Sequence, residues 1–369
     1  MAALGALAML LAATFAAPLA WRLLPRQDRT FPAGLAYGLG LSFGLLSLFM
    51  FALAMALPGH LTLAPLLAFQ AVVLAGGLWL TREDWLAFEW RGLPRRIFAS
   101  ARRDPLAALV VGAMLAGIGL ILVSNIYYPF YLYDELVRYA SQAKLIYQTR
   151  SIPQSVVGYP QQVQLFYAYA FMTSGGVVEW VARLAPTLLA AGALGATVAL
   201  GQGLFGEKAG LLAGLTLLLT PMYARWSMSG YVDVPAAFFI ALAALAVYRW
   251  SASPNLLRAA WAGLWLGLAL WTKQSALLQL GSAGLFVGLN LLREGRWRSR
   301  QGWREIVAGG LVMLAAASLV AGGWYLRNAL LIDVRHVVPS PGEYATDRAN
   351  PSRGNLIPFP AHPEDFGMW

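Results

Sequence analysis

The 369-residue chain has no cysteine, which excludes disulfides and thiolate metal sites. Charge is sparse as well: Asp, Glu, Lys and Arg make up 12% of the residues against 59% hydrophobic, and the mean hydropathy is +0.59. That balance lies outside the soluble globular range. The three histidines, His60, His336 and His362, share no motif, and no Gly-rich phosphate-binding fingerprint stands in a strand–helix context. A soluble nucleotide or nucleotide-sugar domain is thereby excluded. The apolar runs are nearly free of charge at mid-depth, which argues against an ion-coupled transporter with its site near the midplane.

What the chain has in quantity is apolar runs long enough to cross a bilayer, whose core of about 30 Å takes roughly 20 helical residues. Ten are expected, over 2–21, 33–57, 61–80, 105–124, 178–204, 208–224, 232–250, 257–272, 274–292 and 305–325. The fold class is therefore an all-α polytopic membrane protein. The first run lacks the basic flank of a secretory signal and is taken as a retained first helix.

The net charge of +10 would suggest nucleic acid in a soluble protein, but here the cations are packed into short segments between the runs. With the N-terminus outside, the inner segments hold 17 of the 27 Lys and Arg, among them Arg22, Arg26 and Arg29, the run from Arg82 to Arg103, Lys208, Arg249, Arg258 and the run from Arg293 to Arg304. That is the positive-inside pattern, so a membrane takes the place of nucleic acid and both termini are expected outside. Three domains follow: 1–104, three N-terminal spans and a basic cytoplasmic loop; 105–328, the main bundle with an outer loop over 125–177; and 329–369, an outer Pro-rich tail.

The outer loop is the polar exception in a lipid-soluble chain. Tyr127, Tyr128, Phe130, Tyr131 and Tyr133 suit the headgroup zone. From Asp134 the spacing of Leu136, Tyr139 or Ala140, Ala143 and Ile146 or Tyr147 predicts an amphipathic helix lying on the membrane, with Asp134 and Arg138 one turn apart. Gln161 to Gly175 is too short to span. Bounded by breaker residues, it is expected to lie at the outer interface or enter part way. The pairs Gly40/Gly44 and Gly263/Gly267 would allow close helix approach.

Ionisable residues at the membrane rim are functional hypotheses by default, and three outer clusters qualify: Asp134 and Glu135 with Arg138; Tyr231 and Asp233 behind Arg225; and Lys273 in an outer turn. A partly dry carboxylate suits a general base toward a hydroxyl, and two converging ones, Asp134 and Asp233, suit a divalent cation such as Mg or Mn. Arg138, Lys273 and Arg225 suit phosphate oxygens. The bland alternative is that Asp134 and Asp233 cap their helices and the cations snorkel.

Tyr133-Asp134-Glu135 with Arg138-Tyr139-Ala140, Lys144 and Tyr159-Pro160 resembles the first outer loop of the GT-C membrane glycosyltransferases. The bacterial branch related to dolichyl-phosphate-mannose protein mannosyltransferases and the lipid A aminoarabinose transferase is the most similar. Ser229-Gly230-Tyr231-Val232-Asp233-Val234-Pro235 is similar to its second outer motif, the stretch Gly267 to Lys273 to its later turn, and Gly323 to Asn328 to its outer-rim aromatic motif. The resemblance implies a GT-C-like bundle in a bacterial plasma (inner) membrane, with the active site on the extracytoplasmic side. It implies a polyprenyl-phosphate-linked sugar donor and a lipid, glycan or protein acceptor. Asp134 is then the catalytic carboxylate with Glu135 beside it, Asp233 a metal or donor ligand, and Lys273, Arg138 and Arg225 phosphate contacts. Gly158-Tyr159-Pro160-Gln161 departs from the aminoarabinose signature, so that donor is not implied. The alternative is a catalytically inactive relative, a structural subunit partnered by other proteins of a membrane complex.

Overall fold

Pro18 interrupts the first apolar run. It cannot continue the hydrogen-bond ladder, so helix α1 (Ala2–Thr14) breaks and resumes as α2 (Ala17–Leu23). The Ala16 N–H at the break donates to Ser42 Oγ at 3.0 Å on α3 (Phe31–Ala56), because a freed backbone group inside a bundle must find a partner. Helix starts are capped where the sequence offers a cap: Thr30 accepts from the Ala33 N–H ahead of α3, and Asp104 from the Ala107 N–H.

This computed structural model describes residues 1–86, 99, 102–293 and 298–331. Most of the expected basic loop between the third and fourth spans, part of the one near 294–297 and all but the first residues of the expected Pro-rich tail lie outside the described residues. The chain continues through α4 (Leu63–Leu80), α5 (Arg82–Leu86), α6 (Pro105–Tyr127), α7 (Ser141–Thr149), α8 (Gln162–Ser174), α9 (Glu179–Ala182), α10 (Leu184–Phe205) and α11 (Glu207–Leu219). It ends with α12 (Pro221–Ser227), α13 (Asp233–Ala252), α14 (Leu256–Thr272), α15 (Leu277–Arg293) and α16 (Arg300–Leu331). Among the described residues there is no strand.

Each of the ten expected runs is helical. Seven are long and apolar enough to cross a membrane: Ala2–Leu23, Phe31–Ala56, Leu63–Leu80, Pro105–Tyr127, Glu179–Phe205, Asp233–Ala252 and Arg300–Leu331. The other three, α11, α14 and α15, have 13, 17 and 17 residues and reach about 20 to 25 Å at 1.5 Å per residue, which falls short of the usual span.

The core lies between α3, α8, α10, α13 and α14, where Tyr37, Phe43, Phe166, Trp265 and Trp271 are fully buried. Of the two placements expected for 161–175, helix α8 departs from the one at the outer interface and agrees with the one that enters: all 13 of its residues are buried, packed on α1, α3 and α7. Val163, Leu165, Phe166, Tyr167, Tyr169 and Phe171 make it apolar all round, so no face of it prefers water. It enters the bundle without crossing it.

The glycine pairs do allow close approach. A Cβ at Gly263 or Gly267 of α14 would press on the backbone of Met313 or Ala317 in α16, and one at Gly40 or Gly44 would meet Leu242, Trp265 and Leu268. Gly263→Val is therefore expected to cost roughly 1–3 kcal/mol by overpacking. Gly310→Ala, whose Cβ would enter open space, should be neutral or slightly stabilising; thermal midpoints of the two variants in detergent check both.

Candidate active site at one end of the bundle

The loop after α6 is folded around Glu135. Its side chain is 0% exposed, and a buried carboxylate must be paired and hydrogen-bonded to stay charged. Glu135 Oε2 accepts from the N–H groups of Tyr131 (2.8 Å) and Leu132 (3.0 Å), and Oε1 accepts from the N–H of Gly230. Arg183 Nη1 lies 3.7 Å from Oε2, also at 0% exposure. Arg183 in turn donates to the carbonyls of Asn125 (3.2 Å), Pro129 (3.0 Å) and Met228 (2.7 Å) and to Asn125 Oδ1 (3.0 Å). One ion pair thus ties the end of α6, the outer loop, the start of α10 and the Ser229-Gly230 turn into one block.

On that block Asp134 points the other way. Its side chain is 34% exposed, with Arg138 Nε at 4.0 Å, and its N–H donates to Tyr231 Oη at 3.3 Å. A wide, π-type turn over Glu135–Ala140 sets adjacent residues to opposite tasks, Glu135 in the interior and Asp134 partly exposed. Such turns recur at functional sites. Asp134 makes no capping bond, and neither does the start of α13 receive one from its N-cap residue, so helix capping does not account for these acids.

Asp233, at the first turn of α13, instead accepts from Lys273 Nζ at 2.7 Å. That bond joins the second and third of the expected clusters, 40 residues apart in the sequence. Tyr139, Tyr159 and Tyr231 line the space between: Tyr139 packs edge-on to both others with ring centroids 6.2 and 5.8 Å away, and the Arg138 guanidinium stacks over Tyr159 at 5.0 Å. Burial pushes the Tyr139 phenol up from its ordinary value, and Tyr159, Asp134 and Asp233 add to the rise against Arg138. The Tyr231 phenol is raised mainly by burial too, with Asp134, Glu135 and Asp233 adding to it and the Asp134 N–H opposing. Both hydroxyls keep their protons and can donate to a ligand oxygen.

Of the expected site residues, then, Asp134, Arg138, Tyr231, Asp233 and Lys273 come together. Arg225 does not share their ion pairs; it is exposed on α12, its guanidinium 5.4 Å over Trp226, whose ring lies 4.7 Å from Tyr231. Several pairings escaped the sequence reading. Arg183 and Asn125 build the block, Lys144 pairs with Glu179 at 3.2 Å, and Glu179 Oε2 accepts from the Phe130 N–H at 3.0 Å. Arg327 donates to the carbonyls of Pro153 (2.8 Å) and Val156 (2.9 Å), and Gln274 to that of Gly158 (2.5 Å), pinning the strap before α8. Arg183 carried a usable signal, being a cation inside an apolar run.

Residues 163–320 match the family model described as dolichyl-phosphate-mannose-protein mannosyltransferase. No curated protein matches, and no solved structure matches. The matched segment contains Arg183, Tyr231, Asp233 and Lys273 but begins after Asp134, Glu135 and Arg138, so the outer-loop acids rest on their own geometry. From α8 into α16, less than half of its length, the chain is thus similar to the dolichyl-phosphate-mannose-protein mannosyltransferase domain, within a multi-pass membrane protein whose described residues include seven helices long and apolar enough to cross a bilayer.

Proposed function

We propose that the protein transfers a sugar from a polyprenyl-phosphate-linked donor to a lipid, glycan or protein hydroxyl on the extracytoplasmic face of a bacterial plasma membrane. The observation that carries this reading is the convergence of Asp134, Arg138, Tyr231, Asp233 and Lys273 at the bundle end away from the Arg-rich segments. The Lys and Arg bias puts that end outside. The short helices α11, α14 and α15 are read as crossings, which keeps both termini on the outer side.

In this reading the acceptor hydroxyl lies against Asp134, which takes its proton as the oxygen attacks the anomeric carbon. The bond from that carbon to the phosphate oxygen breaks with inversion, and the polyprenyl phosphate leaves with the electron pair. Lys273 and Arg138 stabilise the growing phosphate charge, Tyr231 donates to an oxygen, and Arg225 guides the headgroup at the rim. Glu135 has its oxygens occupied by three N–H groups and Arg183, so its task is to hold Asp134 in place.

The residues do not fit a resident divalent cation. Asp134 and Asp233 each already face a cation, and among the described residues no group of three or more His, Cys, Asp or Glu converges. No step is routed through a metal. Chelator-washed protein is expected to keep its transfer rate, measured with and without added Mg or Mn.

Lys273→Met tests the phosphate assignment. Loss of one charge-assisted contact should lower kcat/KM for the lipid donor roughly tenfold to hundredfold, with Lys273→Arg restoring part of it. An unchanged KM and kcat in the Met variant would remove Lys273 from the donor site. The reading of the chain as an inactive subunit gains no specific support from a site in which Asp134 remains open to the cleft.

A further inference from the structure

A cavity of about 430 Å³ lies at the other end of the bundle, lined among others by Asp28, Gln202, Tyr248, Arg249, Ser253 and Arg258. It is separate from the site above. Asp233 and Arg249 sit on the same helix, α13, about 24 Å apart along its axis. The lining comes from the segment before α3, the last turns of α10 and α13 and the first turn of α14, so the cavity opens at the level where helix ends meet lipid headgroups.

Its charge is unbalanced. Two guanidiniums share one carboxylate: Arg249 Nε is 3.6 Å from Asp28 Oδ1, longer than a charge-assisted hydrogen bond. Among the described residues Arg258 is half-buried and forms no ion pair. One arm of Arg258, Nη1, donates to the carbonyls of Arg249 (3.3 Å) and Ser253 (3.2 Å). That arm covers the carbonyl end of α13, which would otherwise repel an anion. Exposed Arg22 and Arg26 add positive charge on the neighbouring segment.

The rim is apolar on the lipid side. Phe31 follows the lining residue Thr30 and is 80% exposed; Phe205 follows Leu204 just beyond the lining residue Gly203 and is 79% exposed. A polar, cation-bearing cavity with bare aromatic side chains beside its mouth matches an amphiphile whose phosphate enters and whose chains stay outside.

We propose that this cavity is a second lipid site, which takes the phosphate headgroup of an anionic lipid on Arg249 and Arg258 while the acyl chains lie along Phe31, Leu204 and Phe205. The site is distinct from the donor site and independent of the sugar-transfer reading. Asp28 holds Arg249 in position in the empty state and excludes a second phosphate.

The test is native mass spectrometry of the detergent-purified full chain titrated with dioleoyl phosphatidic acid, with dioleoylglycerol as the uncharged counterpart and inorganic phosphate as competitor. A single phosphatidic acid should bind about thirtyfold tighter than the diacylglycerol, since each of the two arginines contributes about 1 kcal/mol, a factor of about five. Arg258→Gln leaves the Asp28–Arg249 pair intact and should weaken that binding roughly fivefold, and Arg249→Gln combined with it should abolish the preference. Thermal midpoints of both variants establish that they are folded. Equal affinity in wild type and folded Arg258→Gln overturns the proposal, as does complete displacement of the lipid by inorganic phosphate, which would make the ligand a free anion.

Discussion

Asp134→Asn is expected to abolish sugar transfer, by about 10²–10⁴-fold or to background, and to leave the thermal midpoint unchanged. The two halves of this expectation have different causes. The loss of turnover follows because asparagine cannot accept the hydroxyl proton, although it preserves the size of the side chain and the backbone N–H that reaches Tyr231. The unchanged stability follows because the Asp134 side chain is a third exposed and its one ion pair, at 4.0 Å, is long; such partly solvated pairs contribute about 0–1 kcal/mol. Transfer assays and thermal unfolding on the same preparation read both. A folded variant with wild-type turnover would remove Asp134 from the chemistry.

The ion pair of the neighbouring Glu135 behaves in the opposite way. Arg183→Leu is expected to destabilise the protein by about 3–5 kcal/mol, because it strands the Glu135 carboxylate in the interior. That is a large share of the roughly 5–15 kcal/mol by which folded domains are stable. It also frees the carbonyls of Asn125, Pro129 and Met228 that Arg183 now holds. The double variant Arg183→Leu/Glu135→Gln should recover part of the loss, since no net charge is then buried, and the coupling between the two changes should reach roughly 0.5–3 kcal/mol, the range for residues in contact. Additive effects would mean that the pair does not organise the loop. Asp134 and Glu135 are adjacent in sequence, yet one variant should lose chemistry at full stability and the other stability first.

Much of the architecture was legible because a bilayer imposes length and composition on each crossing. All ten apolar runs are helices, and of the positions that periodicity assigned to one face Tyr139, Ala140, Ala143 and Ile146 are buried and Leu136 and Tyr147 half-buried, although Gln142, assigned elsewhere, is buried as well. The Gly263/Gly267 pair was legible as a point of close helix approach, and α16 is the partner that fills it. Of the site, Asp134, Asp233 and Lys273 were readable as charges at helix ends. What the sequence hid were pairings. Nothing local links Glu135 to Arg183 or Gly230, since a contact between distant segments leaves no periodic trace, and adjacent acids look alike until burial separates them. The depth of α8 was hidden for a related reason: a 13-residue, mostly apolar helix bounded by Pro160 and Gly175 fits either the interface or the interior, and only the surrounding helices decide. Arg225 shows the converse. Its position in the chain suggested a place among the other site cations, whereas on the short helix α12 it is exposed over Trp226 and outside their ion pairs.

The most direct test of the central claim is a transfer assay with the purified wild-type chain, offered polyprenyl-phosphate sugars and nucleotide sugars in parallel. Transfer from a polyprenyl-phosphate sugar, none from the nucleotide sugars, and loss of the signal in Asp134→Asn is the predicted result. A folded wild type that neither binds nor consumes any polyprenyl-phosphate sugar would contradict it.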